Sequence, residues 1–333
     1  MQMKENGLRP AFRYWLMFVI GWVFLTMALG GATRLLEAGL SIVDWRPVTG
    51  IMPPITSTQW QQEFSKYQGS PDFKARSLMT LADFKFIFWW EYAHRLIARM
   101  LGFFIIVPFL FFWRQGRTIS PDGKRVLLLL FLVGMQGGLG WFMVQSGLVQ
   151  IPRVSHFRLL AHFLWACLIL SYLAFWLQQE STKIQRRRGQ RIYLHTLSFL
   201  CVVQLALGAM VAGSRAGYVF NTFPLMGDSW GPPVFLIYDG WVENLFYNQF
   251  NLQFFHRIGG WVLGLLAVLG WRLGFRELTL LIFLQFILGV FTLVLRVPVS
   301  LAVLHQVLGA FVFFRIRCLL YSSKLDLDHN LGR

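Results

Sequence analysis

Four of the seven histidines lie inside apolar segments, and they are the strongest chemical signal in the sequence. A single histidine in a membrane helix is more often a packing residue or part of a proton relay than a metal ligand, but four at equivalent places favour ligation. Zinc needs roughly three or four ligands around one point, whereas each half of the chain offers two histidines and no supporting cysteine. Two imidazoles on facing helices are typical of a haem in a membrane cytochrome b. We therefore predict two haem-sized sites, one formed by His94 and His162 and one by His256 and His305.

Glu91 is the one acidic residue well inside an apolar segment. A charge at mid-helix costs about 2.5–3.5 kcal/mol on insertion scales, so such a residue is a functional candidate. It precedes His94 by three positions, which places both on one helix face, while the second half has Gln253 in the corresponding place. This asymmetry predicts chemistry in the first half and electron storage or transfer in the second. The alternative is a structural pair of Glu91 with Arg95 or Arg99.

Four arginines are candidates for binding haem propionates. Arg95 and Arg257 directly follow predicted ligands, and Arg34 and Arg215 occupy equivalent places at the outer ends of predicted helices. Propionates are anions that guanidinium groups bind well. The alternative is that these side chains extend to lipid headgroups.

The elements that must position these residues are membrane helices. The 333 residues are 56% hydrophobic and only 14% charged, against about 25% charged in soluble domains. A net charge of +16 alone could suggest a nucleic-acid binder, but the apolar content excludes nucleic acid as a partner. Apolar runs predict an all-α integral membrane protein with eight transmembrane helices. They lie near residues 14–33, 86–113, 126–145, 158–178, 192–212, 252–271, 278–295 and 299–320.

The distribution of basic residues predicts the orientation. Segments on the side of the two termini carry 18 Lys and Arg, and the opposite segments carry 10. Both termini are therefore expected in the cytoplasm. Each of the four histidines follows the outer end of its helix by a few residues, so both predicted haem sites should lie near the outer face.

Internal repeats predict two tandem, pseudo-symmetric four-helix bundles. GATR at 31–34 is echoed by AGSR at 212–215, and HRLIARMLG at 94–102 by HRIGGWVLG at 256–264. A shorter pattern, Thr or Gln followed three residues later by Leu-Gly, occurs four times, and its glycines are expected to pack around something bulky. These motifs start at Thr26, Gln136, Gln204 and Gln285. The predicted organisation is a cytoplasmic segment 1–13, a first half 14–178, a basic linker 179–191, a second half 192–321 and a cytoplasmic tail 322–333.

The motifs EYAHR at 91–95, RLLAH at 158–162, FFHR at 254–257 and LAVLHQ at 301–306 resemble those of the haem A synthase family, the CtaA/Cox15 group, in its proteobacterial and mitochondrial branch. The resemblance implies an oxidoreductase that oxidises the C8 methyl group of haem O to a formyl group, giving haem A for terminal oxidases. It also implies that His256 and His305 ligate the iron of a resident haem b. His94 and His162 would flank the iron of the substrate haem O, and Glu91 would take part in the chemistry. Residues 34–85 contain no cysteine, so a mechanism that needs a thiol pair in this loop does not apply.

The resemblance further implies a location and partners. We expect a bacterial inner membrane protein with its haem sites near the periplasmic face, in contact with lipid and with haem O as substrate. Haem O synthase, cytochrome oxidase assembly factors, an electron-transfer partner and a second copy of the chain are candidate partners. Two other functions stay open at this point, a non-catalytic dihaem cytochrome b and a transporter. His156, just outside His162, is a further candidate for contact with a bound macrocycle.

Overall fold

A computed structural model describes residues 10–46, 49–114, 121–149, 152–179, 181 and 183–325. Most of the predicted cytoplasmic segment 1–13 and of the tail 322–333 lies outside these residues. Within them, eight long helices are each apolar and long enough to cross a membrane. The predicted class and all eight predicted spans are therefore confirmed. The long helices are α1 (Pro10–Leu35), α4 (Leu81–Arg114), α5 (Pro121–Leu148), α6 (His156–Gln178), α7 (Arg188–Ser214), α9 (Gln249–Arg272), α10 (Arg276–Val294) and α11 (Val299–Tyr321).

The remaining described elements are short. The helices α2 (Ser57–Gln68) and α3 (Pro71–Ala75) lie between α1 and α4, and α8 (Trp241–Phe246) directly precedes α9. Strands β1 (Ile184–Arg186) and β2 (Ser323–Leu325) pair in parallel, with Ile184 opposite Ser323. The predicted basic linker therefore contains a strand.

Helix boundaries differ from the prediction where a helix continues into polar sequence. The helix α4 has 34 residues and begins at Leu81, five residues before the predicted span. A membrane crossing needs about 20 residues, so α4 is longer than a crossing requires. Apolar runs mark only the part of a helix that lipid must cover, and the extra turns therefore escaped the prediction.

The chain divides into two compact units. One consists of residues 21–166, and the other combines the residues up to Ile20 with those from Cys167 onward. In the second unit α7 packs on α9, α9 on α10, α10 on α11 and α11 on α7, so that the four helices form a ring. The predicted tandem symmetry of two bundles stays a prediction.

In the first unit an aromatic core connects α2 and α3 to the extended start of α4. Trp60 and Tyr67 of α2 pack with Phe84 and Phe88 of α4, and all four are buried. The Tyr67 and Phe84 rings are stacked at 5.2 Å. Thr56 begins α2 through a capping box with Gln59, which satisfies main-chain donors that the first turn leaves unpaired. We call α2, α3 and the start of α4 the outer module, after the predicted side of the membrane, and it has a core of its own.

A buried polar contact holds α3 to α2. The Tyr67 hydroxyl donates to Asp72 Oδ2 at 2.7 Å, and Arg76 Nη2 donates to Asp72 Oδ1 at 3.0 Å. Burial and the bond to Asp72 raise the pKa of the Tyr67 hydroxyl, so it remains a donor at any physiological pH. The carboxylate of Asp72 thus accepts from two side chains in a site that water does not reach.

Tyr67→Phe should loosen the outer module. Loss of a hydrogen bond to a buried carboxylate lowers the free energy of unfolding by about 1–3 kcal/mol. A change of about 1.4 kcal/mol shifts the equilibrium constant for local opening tenfold. Amide hydrogen exchange along α2 should accelerate about tenfold or more, as measured by mass spectrometry. The control is Tyr218→Phe, because Tyr218 is exposed. Unchanged exchange in α2 would show that this bond does not support the module.

Candidate functional site

Each of the four intramembrane histidine rings packs against the glycine that ends one of the repeated motifs. A methyl group built on Gly30 would lie 2.8 Å from Cε1 of His94, closer than real contacts allow. The corresponding distances are 3.1 Å for Gly140 and His162, 3.1 Å for Gly208 and His256, and 2.7 Å for Gly289 and His305. The prediction that these glycines make room for something bulky is therefore confirmed, and the bulky group is the imidazole.

The glutamines that open three of these motifs fasten the helices that carry the histidines. Gln136 Nε2 donates to the main-chain oxygen of His162 at 3.1 Å. Gln204 and Gln285 make the same bond, at 2.9 Å, to the main-chain oxygens of His256 and His305. Each of these bonds joins the two helices of a pair at the histidine itself.

The fourth motif begins with threonine and makes a different contact. The Thr26 hydroxyl donates to the main-chain oxygen of Trp22 within α1, at 2.8 Å. The side-chain bonds between α1 and α4 come instead from Trp22, whose indole donates to the main-chain oxygen of Ile97 at 2.8 Å, and from Thr33, whose hydroxyl donates to that of Trp90 at 3.1 Å. His94 therefore lacks the glutamine anchor that the other three histidines have.

In the second unit the two histidine rings face each other across the helix ring. The centres of the His256 and His305 rings are 6.4 Å apart, and their planes are perpendicular. A metal ion held by Nε2 of two imidazoles on opposite sides, at about 2 Å from each, separates the ring centres by about 6 Å. The residues present therefore fit a bis-histidine iron.

The other ring nitrogens of this pair are buried. Nδ1 of both rings makes no hydrogen bond within the described residues. A neutral imidazole that is protonated at Nδ1 leaves Nε2 available for a metal. The two rings are therefore compatible with ligation through Nε2.

The first-unit pair has one additional contact. His94 and His162 belong to the same unit, and each ring packs against its own motif glycine. Gln136 Nε2 lies 3.2 Å from Nε2 of His162. An amide group therefore occupies the side of the ring that a metal ion would use.

Glu91 joins α4 to the chain that follows α1. Its side chain is buried, and Oε1 accepts from Arg95 Nη2 at 2.6 Å. Its other oxygen accepts from the Ser41 hydroxyl at 2.7 Å and from the main-chain N–H of Ile42 at 2.8 Å. Arg95 also donates to the carbonyl of Ile42 at 3.0 Å. The structural pair with Arg95 therefore exists, and it holds the loop between α1 and α2, which is the predicted first outer loop.

In the second unit Gln253 and Arg257 fasten the corresponding loop, and they do so without a negative charge. Gln253 Nε2 donates to the carbonyls of Ala216 and Phe220 at 3.0 and 3.1 Å. Arg257 donates to the carbonyls of Phe220 and Leu225, each at 2.9 Å. The two units thus share one way of fastening the outer loop, and only the first uses a carboxylate.

The remaining candidates lie at helix ends. Arg34 is in the last turn of α1, and Arg215 follows the end of α7 in the left-handed conformation, at φ 61°. His156 begins α6, and its ring packs on Phe157 at 4.4 Å. Both arginines therefore lie at a helix end, Arg34 inside its helix and Arg215 directly after its helix.

Within the described residues, no three or more His, Cys, Asp or Glu side chains group as a metal site. The three cysteines, Cys167, Cys201 and Cys318, are buried free thiols. The sequence did not indicate Ser41 as a partner of Glu91, because it lies in an irregular loop with no motif around it. The anchoring roles of Gln136, Gln204 and Gln285 were visible only as a repeat.

The chain is similar to known proteins over almost its whole length. Residues 13–316 match the family model COX15-CtaA, described as a cytochrome oxidase assembly protein. A protein named heme A synthase from Rhizobium johnstonii is 38% identical over 327 residues, covering 93% of this chain and 89% of that protein. Proteins of the same name are 37% identical in Nitrosospira multiformis, covering 99% and 96%, and 39% identical in Brucella ovis, covering 91% and 89%. The chain therefore belongs to the COX15-CtaA family.

Proposed function

We propose that this protein is a haem A synthase that oxidises the C8 methyl group of haem O to a formyl group, supplying haem A to terminal oxidases. The name shared by its relatives supports this function. The observation that carries it is the presence of two equivalent histidine pairs, of which only one has a buried carboxylate three residues away. In a protein that only carried electrons, Glu91 would serve only the loop between α1 and α2, as Gln253 serves the corresponding loop of the second unit.

In this proposal His256 and His305 hold the iron of a resident haem b. The 6.4 Å between their ring centres supports this assignment. When bound, the haem would accept and pass on single electrons. Gln204 and Gln285 fix each ligand helix against its neighbouring helix by donating to the main-chain oxygens of the histidines. These two bonds would help to hold both ligands in place when the haem is bound.

Arginines would hold the propionates of the two haems. For the resident haem we assign Arg257 and Arg215, and for the substrate Arg95 and Arg34. Arg257 Nε is buried and makes no hydrogen bond to any described residue, which leaves it available for an anion. Arg95 and Arg257 also donate hydrogen bonds to loop carbonyls. These two guanidinium groups would therefore join the outer loops to the bound groups.

The first unit would bind haem O between His94 and His162, with Glu91 beside it as the third catalytic residue. A methyl group that is oxidised next to a conjugated ring becomes electron-poor, and a carboxylate stabilises the positive charge that develops. Arg95 holds that carboxylate at 2.6 Å, so it stays oriented in the absence of substrate. The Gln136 amide lies 3.2 Å from His162 Nε2, so it would have to move away from this nitrogen before the nitrogen could bind the iron of the substrate.

The proposed setting is a bacterial inner membrane with both termini in the cytoplasm and the haem sites near the periplasmic face. Two tandem halves, 14–178 and 192–321, would each hold one haem. Haem O synthase and cytochrome oxidase assembly factors are the proposed partners, together with an electron-transfer partner, lipid and a second copy of the chain. The excess of basic residues in the segments predicted on the side of the two termini supports the orientation.

The test is product formation in cells. Expression together with a haem O synthase, in a host that makes no haem A, should give a purified protein whose extracted pigments include haem b and haem A. His162→Ala should keep haem b and accumulate haem O without haem A. Haem b as the sole pigment of the unsubstituted protein would instead support the dihaem cytochrome.

A further inference from the structure

The second outer loop buries several asparagine side chains and exposes most of its apolar side chains, while Asp239 and Glu243 are exposed as well. We call residues 234–247 the aromatic outer segment. Leu236 is 72% exposed and Trp241 is 75% exposed. Other exposed side chains of this segment are Val234, Phe235, Ile237, Tyr238 and Val242. A surface of this composition is unusual for a loop in water, where such side chains normally turn inward.

The interior of the segment is built from buried asparagines. Asn244 Oδ1 accepts from the main-chain N–H groups of Ile237 and Tyr238 at 2.7 and 3.1 Å. Its Nδ2 donates to the carbonyls of Tyr238 and Gly240 at 2.5 and 2.7 Å. One side chain thus pairs four main-chain groups of the loop.

Two further asparagines extend this interior to the start of α9. Asn251 Nδ2 donates to the carbonyl of Phe235 at 2.8 Å and to that of Asn244 at 3.0 Å. Asn248 Nδ2 also reaches the carbonyl of Phe235, at 3.2 Å. Asn244, Asn248 and Asn251 are all at most 4% exposed. Six main-chain groups of the segment that would otherwise need water are therefore paired by asparagine side chains.

A loop with paired main-chain groups and outward apolar side chains is suited to lipid. Unpaired main-chain groups exclude most loops from apolar surroundings, and internal pairing removes this cost. Trp and Tyr are enriched where membranes meet water. The segment contains two acids, Asp239 and Glu243, and no Lys or Arg. Its attraction to a membrane would therefore come from apolar area rather than from charge.

The segment also continues directly into a membrane helix. It ends two residues before Gln249, where α9 begins, and α9 is long and apolar enough to cross a membrane. We propose that the aromatic outer segment lies in the outer lipid leaflet at the level of the headgroups, with Leu236 and Trp241 turned into the lipid. It would hold the outer end of α9, the helix that carries His256.

Spin labels can test this placement in the full-length protein. Leu236→Cys and Trp241→Cys would be labelled separately and reconstituted into vesicles of phosphatidylethanolamine and phosphatidylglycerol. The three native cysteines are buried, so the unsubstituted protein gives the background labelling. Gln62→Cys, on an exposed position of the polar helix α2, is the water-facing control. Collision rates with oxygen and with a water-soluble nickel complex then report the surroundings of each label.

We expect both segment labels to show an oxygen-to-nickel ratio several-fold above that of the Gln62 label, because oxygen concentrates in lipid. Ratios equal to the control at both positions would overturn the proposal by placing the segment in water. Immobilised labels that neither reagent reaches would also overturn it, since the cover would then be protein.

Discussion

Gly289→Ala should remove most of the haem bound by the second unit. The added methyl group would lie 2.7 Å from Cε1 of His305, and the imidazole would have to move away from its position opposite His256. Displacing a metal ligand or its support typically lowers metal affinity about 10–100-fold. The purified variant should therefore contain far less haem b per protein, as measured by the pyridine haemochrome spectrum.

The matched control is Gly264→Ala, since a methyl group at Gly264 meets nothing within 4 Å. It should keep the full haem content. Gly208→Ala should cause a smaller loss than Gly289→Ala, because its methyl group would lie 3.1 Å from the His256 ring. Normal haem content in Gly289→Ala, with the protein folded, would show that the His305 ring can shift without losing the iron.

Glu91→Gln should block formation of the formyl product while leaving haem b in the second unit. The substitution removes the negative charge but keeps nearly the same shape. The second unit has a glutamine at the equivalent place, and there Gln253 and Arg257 fasten the loop through hydrogen bonds to its carbonyls. Folding should therefore survive, and the loss should fall on the reaction. Haem b content and the ratio of haem A to haem O in extracts measure the two effects separately.

Ser41→Ala separates a charge effect from a loop effect. It removes one of the bonds to Glu91, the 2.7 Å bond from the hydroxyl, and keeps the carboxylate and its 2.6 Å bond to Arg95. If the charge is what matters, Ser41→Ala should retain most of the product. Equal losses in both variants would instead indicate that Glu91 acts by holding the loop. Normal haem A formation in Glu91→Gln would contradict a chemical role altogether.

The membrane helices were predictable because lipid imposes a strong constraint. A span must be apolar over about 20 residues, and the eight runs of this chain meet that condition. No such constraint acts outside the membrane. The extension of α4 to Leu81 and the packing of Trp60 and Tyr67 on it depend on contacts between distant residues. The outer module was consequently not foreseen.

The candidate site was predictable in its repeated part. The four glycines stood at equivalent places, and the structure shows each of them against a histidine ring. The partners of Glu91 were only half foreseen. Arg95 lies one helical turn away and follows from helix geometry, whereas Ser41 approaches from a loop 50 residues earlier in the chain. A single sequence holds no local signal for a contact of that kind.

The short strands β1 and β2 link the first and last helices of the ring formed by α7, α9, α10 and α11. Loops or turns of the chain connect α7 to α9, α9 to α10 and α10 to α11, but no such loop connects α11 back to α7. The pairing of residues 184–186 with 323–325, supported by Lys183 Nζ on the carbonyl of Tyr321 at 2.9 Å, supplies that fourth connection. Each neighbouring pair of the four helices is thus linked outside the helices, three pairs by loops or turns and the pair α11 and α7 by two hydrogen-bonded strands. Removal of the residues after Tyr321 would delete this strand pairing and leave every membrane helix intact.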